Sequence, residues 1–499
     1  MAEKERIGSI AYSEVEDGYF KKRELRRYAR AIHIWGLGVG AVISGDFFGW
    51  NFGLASGGFG GLLIATLIIT VMYLSLSFSI AEMSAALPHT GGAYSFARSS
   101  MGPWGGYITG LAENMEYILT PAVIVVGIGG YLGAVFGTPD SVAPLWWLLA
   151  YGMFVGMNIW GVEASFNFSV FIAFLALAIL VVFCIGAISH LDFNRFALDI
   201  PPGPGGTRFL PKGVPGILAA LPFAIWFYLG IEELPLASEE AQNPKRDIPR
   251  GMVFGIITLI IASLAVLYLN TAIAPGAAAI STSEEPLFEG FKTIFGGGMA
   301  TKVLALIAVA GLIASFHTVI FAYGRQIFSL SRAGYFPRFL SVTHGSRQTP
   351  HVALIAGATL GMVMALAIRY ISSPTMVAPF LLHMAVFGAV ISYMLQMVSF
   401  ILLRIRMPHI ERPYRSPFGM AGAVFTLIVA GITLVTMFIV DPAYLIAVIG
   451  AAVWYALGLI YFAVVARHRL VKSPEEEFAI VELEKGRVFR ADAALKAGK

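Results

Sequence analysis

Charge is scarce in this chain. Only 13% of its 499 residues are Asp, Glu, Lys or Arg, against about 25% in an ordinary soluble domain, while 57% are hydrophobic and the mean hydropathy is +0.76. That shortage excludes a large soluble enzyme and predicts an integral membrane protein. The one cysteine, Cys184, sits in an apolar run, which excludes a disulfide framework and reads as a small buried hydrophobe. The nine histidines are scattered without a pair at metal-ligand spacing, so no metal site is expected. No Gly-x-x-x-x-Gly-Lys-Ser/Thr loop is present, which excludes a phosphate-cradling ATPase, and Gly36-Leu37-Gly38-Val39-Gly40 lies inside an apolar run without dinucleotide-binding spacing. These absences predict no cofactor and no catalytic residues. The polar N-terminus predicts no cleavable signal peptide. Glycine, by contrast, is plentiful at 54 residues, which suits close helix packing in lipid.

Twelve apolar runs are long enough to cross a hydrocarbon core of about 30 Å, near 31–54, 60–87, 104–136, 144–162, 167–189, 215–237, 251–273, 299–328, 350–370, 377–402, 418–439 and 443–466. Basic residues crowd one set of connections. They run from Lys21 to Arg30 before the first span, Lys245, Arg246 and Arg250 after the sixth, Arg325 to Arg347 around and after the eighth, and Arg404 to Arg415 after the tenth. The positive-inside rule then puts both termini in the cytoplasm, which an even number of spans requires. The basic N-terminal run is explained by topology and anionic lipid, so no nucleic-acid partner is expected. The Pro- and Gly-rich connection 190–214 reads as an ordered cap, and the charged tail after Arg467 as a short surface helix.

Two spans are interrupted by a glycine beside an acid: Ser44-Gly45-Asp46-Phe47 in the first and Leu229-Gly230-Ile231-Glu232-Glu233 in the sixth. Glycine weakens a helix, and a carboxylate at mid-membrane costs about 2.5–3.5 kcal/mol on the insertion scale. Irregular backbone at that depth persists only where protein or an aqueous cavity surrounds it, and paired interruptions point to a carrier's binding site. Spans 1–5 and 6–10 then read as inverted halves. Asp46 is suited to hold a bare ammonium and repels a carboxylate; the alternative is a structural carboxylate turned away from the site. Of the neighbours Glu232 and Glu233, one at most faces the substrate, since adjacent helical residues do not share a face. Trp226 reads either as core or as a cation–π partner. In the third span Glu113 and Glu116 share a helix face, and Glu116 lies nearer the midplane. Glu116 and Glu232 are the candidate proton carriers. His317 and Ser315 are weaker candidates, and Glu82, His383 and Gln396 read as structural.

The segment Glu239-Glu240-Ala241-Gln242-Asn243-Pro244-Lys245-Arg246-Asp247-Ile248-Pro249-Arg250 closely resembles the E-x-x-x-N-P-x-R-x-I-P-R pattern of amino acid–polyamine–organocation (APC) transporters. Ala81 to Tyr94, with Pro88-His89-Thr90-Gly91-Gly92, is similar to the loop after helix 2 of that family. Ser329 to Pro337, with Thr349-Pro350, is similar to the loop after helix 8. Ser44-Gly45-x-Phe47 is similar to the broken helix 1. The resemblance covers about residues 30–465. It implies an all-α polytopic fold of twelve transmembrane helices, the LeuT-like inverted five-plus-five repeat with two accessory helices, and alternating access around a substrate held between helices 1 and 6. It also implies that Ser44 and Gly45 match carboxylate-binding positions, that Leu229, Gly230 and Ile231 match the stretch that receives an amine, and that Trp226 and Glu232 match a gating tryptophan and acid. Ile43 stands where the pattern has its first glycine, and Asp46 adds a charge; both weigh against an amino-acid substrate. The run from Ile43 to Leu54 looks most like the ethanolamine permease branch.

The combined reading is a cytoplasmic-membrane importer of ethanolamine or a similar small primary amine, with a cytoplasmic segment 1–30, five-helix repeats 31–189 and 215–402, accessory helices 418–466 and a cytoplasmic tail 467–499. The expected substrate-binding residues are Ser44, Gly45, Asp46, Phe47, Glu116, Trp226, Leu229, Gly230, Ile231 and Glu232. Expected partners are the amine, membrane lipid and a coupling proton or sodium ion, in a monomer or homodimer. The rival readings are an amino-acid permease or exchanger and an amine sensor that moves nothing.

Overall fold

The computed structural model describes residues 6–87, 91–296, 298–371, 376–439 and 445–497. Pro88, His89 and Thr90 of the helix 2 motif lie outside the described residues. The chain opens with a two-stranded antiparallel hairpin, β1 (Arg6–Ile7) and β2 (Ile10–Ala11). Helices follow: α1 (Ala31–Val42), α2 (Ser44–Phe47), α3 (Phe52–Ala86), α4 (Gly92–Phe136), α5 (Ala143–Trp160), α6 (Val162–Ala187), α7 (Phe193–Phe196) and α8 (Gly213–Trp226). A 3-10 segment, Ile231–Ala237, leads to α9 (Pro244–Thr271), α10 (Ala277–Ile280), α11 (Pro286–Phe295), α12 (Met299–Arg332) and α13 (His351–Ile371). The last four are α14 (Val377–Arg406), α15 (Gly419–Ile439), α16 (Leu445–Val464) and α17 (Pro474–Ala497).

Among the described residues, eleven helices are long and apolar enough to cross a membrane; the first expected span is the shorter apolar helix Ala31–Phe47. Glycine supplies the bends that the long runs need. Gly58 at φ +66 kinks α3 near its start, and Gly102 at φ +81, just before Pro103, divides α4 into a short, buried arm and the span proper. Left-handed backbone of this kind is costly for any residue with a Cβ. α4 packs along α14 and α12, α3 along α8 and α9, and α1 against α9 and α6. α15 lies outside α14 and α3, and α16 outside α14 and α4. Connection 190–214 is an ordered cap: Phe209 accepts a bond from the Gly60 N–H at 3.1 Å, and Phe59 packs edge-on against Phe193.

The resembling motifs form one joint. Glu240 pairs with Arg325 at 2.8 Å, both fully buried, and Glu239 pairs with Arg332 at 2.6 Å. Glu82 is structural, as expected, held by Arg404 and Arg412 and accepting the Ser416 N–H. The tail departs from a simple surface helix. Glu476, on α17, is completely buried and takes bonds from Arg98 Nε (2.7 Å), Tyr12 Oη (2.9 Å) and Tyr335 Oη (2.6 Å). Tyr12 in turn bridges to Leu470, so both chain ends strap the same end of the bundle.

Candidate functional site

The two interrupted helices meet backbone to backbone. α8 ends at Trp226, Gly230 takes φ +112, and the chain resumes as the 3-10 segment. This break lies where the sequence puts it. In the first span the break is displaced: Ile43 to Phe47 keep helical geometry, and the chain unwinds at Phe48 to Asn51, where Gly49 takes φ +98. Gly45 serves close approach instead, since a Cβ there would stand 2.5 Å from the Trp226 carbonyl oxygen. The Trp226 indole donates to the Phe48 carbonyl at 2.9 Å and lies on Gly49. The indole thus ties the two breaks together. Asn51 pins this turn outward, donating to the Ile280 and Ser283 carbonyls at 2.6 and 2.9 Å while accepting the Gly49 N–H.

This geometry decides which backbone groups are available. The N–H of Ser44 donates to Ser315 Oγ (2.9 Å), that of Asp46 to the Ile43 carbonyl (3.0 Å), that of Phe48 to the Ser44 carbonyl (2.9 Å) and that of Gly49 to Asn51. Ser315, a weaker candidate in the sequence, thus supports the first break, and it also donates to the Gly40 carbonyl at 2.7 Å. The carbonyls of Trp226, Phe227 and Leu229 accept no hydrogen bond among the described residues. Both carboxylate oxygens of Asp46 are likewise buried without a partner. The break is therefore rich in unpartnered acceptors. Phe47 is fully buried, its ring against Gly311 and its carbonyl accepting from Tyr131 at 3.0 Å. Ile231 packs on Gly38 and Gly255, a helix contact.

A second acidic centre surrounds Glu116. Glu116 and Glu232 face each other within hydrogen-bonding range, and both Glu232 oxygens accept the Gly230 N–H at 3.0 and 3.2 Å. Tyr393 Oη donates to Glu116 at 3.4 Å and shares a 2.8 Å bond with Tyr73 Oη. Glu113 takes the Gln326 amide at 2.7 Å and Tyr117 Oη at 3.4 Å. Glu233 is buried with both oxygens unpartnered. Asp46 does not belong to this cluster; Tyr228 and Cys184 are the titratable groups within its electrostatic reach. Between the two centres, the Tyr228 ring lies 5.4 Å from that of Tyr73. Tyr73, Tyr393, Gln326 and Asn51 were not legible as site residues, because a single polar side chain on an apolar helix looks like packing. His317 is buried and bonded to Ser165 at 2.9 Å and Asn158 at 3.1 Å. Among the described residues no group of His, Cys, Asp and Glu could hold a metal ion.

Comparison with known proteins places this architecture. The family described as amino acid permease matches residues 33–473. An uncharacterized transporter of Rhizobium meliloti (strain 1021) is 28% identical over 83% of this chain and 87% of its own length. The methylthioribose transporter of Bacillus subtilis (strain 168) is 24% identical over 90% of this chain and 96% of its own. The branched-chain amino acid permease BcaP of the same organism is 23% identical over 90% and 95%.

Proposed function

The chain belongs to the amino acid permease family, and on that premise we propose that it is a secondary transporter importing ethanolamine or a similar small primary amine across the cytoplasmic membrane, with both termini inside. The observation that carries this reading is the set of unpartnered acceptors at the paired breaks, on Asp46, Trp226, Phe227 and Leu229. An ammonium needs acceptors, and a carboxylate needs donors. Asp46 is the ammonium partner, the Trp226, Phe227 and Leu229 carbonyls complete its shell, and Ser44 takes the hydroxyl. With four heavy atoms, the ligand has a ceiling of about −6 kcal/mol, or tens of micromolar.

Spans 31–189 and 215–402 act as inverted five-helix repeats. In support, the packing of α4 on α14 has its counterpart in α12 on α6, and that of α3 on α8 in α9 on α1. Alternating access is then the rocking of one half against the other around the breaks. Glu116 and Glu232 share a proton that crosses with the substrate; inside-negative potential adds about 2.3 kcal/mol per 100 mV for each positive charge.

Uptake of labelled ethanolamine into liposomes holding the pure protein tests the proposal, with serine, alanine and choline as competitors and Asp46→Asn as the control variant. Uptake that ignores the amino acids and vanishes in Asp46→Asn is the expected result. The second reading, an amino-acid permease, is favoured by the names of relatives such as BcaP; block by serine or alanine would put it in first place, and normal uptake by Asp46→Asn would remove Asp46 from the site.

A further inference from the structure

Glu113 lies one helical turn from Glu116 on the same face of α4 and is buried, yet it is not a member of the proton pair. The structure gives it three donors. Gln326 Nε2 on α12 donates to its Oε2 at 2.7 Å, Tyr117 Oη donates to its Oε1 at 3.4 Å, and the backbone N–H of Tyr94 also bonds its carboxylate. Tyr94 is the third residue of α4, so its N–H has no partner within the helix. The N-cap, Gly91, has no side chain to supply one. A carboxylate from the far limb of the same helix supplies it instead.

That contact closes a V. Gly102 at φ +81 is the apex between the arm, residues 92–101, and the span, and a Cβ there would meet nothing. Gly106 lets the two limbs touch: a Cβ on it would stand 3.0 Å from Arg98 Cβ and 3.3 Å from the Tyr94 carbonyl oxygen. Gly92 rests on the 3-10 segment that follows the sixth-span break, where an added Cβ would lie 3.2 Å from Leu236 Cδ2. The arm is thus held between the Glu113 carboxylate and the part of the sixth span beyond its break, and the Glu113 bond helps to fix its angle at Gly102.

Charge sets the strength of that bond. A hydrogen bond to a carboxylate is about twice as strong as one to a neutral carboxyl group, and the N-terminus of a helix favours negative charge. When Glu113 takes up a proton, Gln326 can turn its unpartnered Oε1 toward it and the Tyr117 hydroxyl can rotate, whereas a backbone N–H only donates. The loss therefore falls on the arm. The charge on Glu113 depends in turn on its neighbours. Tyr117 lies within electrostatic reach of four carboxylates, Glu113, Glu116, Glu232 and Glu233. Tyr393 on α14 and Tyr455 on α16 act on Glu116, and Arg325, beside Gln326 on α12, is taken up by Glu240. Among the described residues no cation pairs with any of the four, so charge on one opposes charge on the next.

We infer that Glu113 is a positioning residue that couples the proton state of the Glu116–Glu232 pair to the arm. With a proton on the pair, Glu113 is charged and grips Tyr94; with the pair empty, Glu113 holds the proton and the arm is released. This inference rests on the reading of Glu116 and Glu232 as proton carriers.

Hydrogen–deuterium exchange of segment 92–101 in the full-length protein, read by mass spectrometry and corrected at each pH for the intrinsic amide rate, tests this without substrate. In the wild type, protection of the arm should rise with pH by about ten-fold, the difference between a charge-assisted and a neutral hydrogen bond. Glu113→Gln should hold the low value at every pH. Glu116→Gln removes a competing charge and should move the wild-type midpoint down by about one pH unit. A flat wild-type profile, or an unmoved midpoint in Glu116→Gln, overturns the proposal. So does an unchanged profile in Glu113→Gln, which would assign the titration to another group such as Glu476, bound to Arg98 on the arm. If Glu113→Gln fails to fold, the wild-type profile and the Glu116→Gln shift still decide. Substrate-driven acidification inside liposomes separates the two claims: a wild type that does not acidify refutes the proton-carrier reading, and one that acidifies with a flat arm profile refutes this inference alone.

Discussion

The indole of Trp226 ties one broken helix to the other, donating to the Phe48 carbonyl at 2.9 Å across the turn that Gly49 makes at φ +98. Trp226→Phe keeps an aromatic ring on Gly49 but leaves a buried carbonyl unsatisfied, a cost of about 1–3 kcal/mol. Thermal unfolding in detergent should show a lower midpoint, and uptake should fall with the protein still folded. An unchanged midpoint would mean that the bond adds nothing to stability.

The pair Glu116 and Glu232 should separate binding from coupling. Glu116→Gln keeps a hydrogen-bond donor toward Glu232 but removes an exchangeable proton. Amine binding, read by calorimetry, should persist within about ten-fold, since one neutral contact contributes about 0.5–1.5 kcal/mol. Substrate-driven acidification inside liposomes, read with a pH-sensitive dye, should be lost. Acidification at the wild-type rate would remove Glu116 from the proton path.

The buried ion pair Arg325–Glu240 has both members at 0% exposure, with Arg325 also 3.5 Å over the Phe321 ring. Removing one partner strands a charge, at about 3–5 kcal/mol. Arg325→Met should therefore lower yield and unfolding midpoint severely, and adding Glu240→Leu should recover most of the loss. Additive damage in the double variant would count against a pairwise joint.

Outside the membrane, Glu284 and Glu285 both titrate near neutrality. Burial, with Glu285 beside it, pushes Glu284 up to about 7; burial, with Glu289 beside it, does the same to Glu285. In the unfolded chain such carboxyls release their protons near 4.5. Between these values the folded protein holds more protons than the unfolded one, so stability falls as pH rises from about 4.5 to about 7 and then levels. Their loop carries the Ser283 carbonyl that accepts from Asn51, so this acid pair adjoins the anchor of the first break. Glu284→Gln/Glu285→Gln should flatten the pH dependence of the unfolding midpoint in that window; an identical slope would locate the titrating groups elsewhere.

The helices were legible because an apolar run of membrane length leaves the chain few other structures. The sixth-span break was legible for a local reason: only glycine takes φ +112 without strain, and Gly230 does. The first-span break was read four residues early. Gly45 and Gly49 look alike in sequence, and only packing shows that one permits a close approach while the other makes the turn. The roles of Glu232 and Glu233 were not legible either, since the helical period that would assign their faces stops at the break itself. Glu476 was hidden by its surroundings, because a charged tail looks solvated until its partners from three distant segments are known.

That last feature bears on how the protein is made. Arg98 and Glu476 are 378 residues apart in the chain, and at about 5–20 residues per second the carboxylate emerges roughly 20–75 s after the guanidinium. Until then the cation and the tyrosines waiting beside it have nothing to enclose. Docking of α17 is thus a signal that synthesis has passed residue 476, and a prematurely ended product carries an open cationic socket that quality-control proteases could recognise.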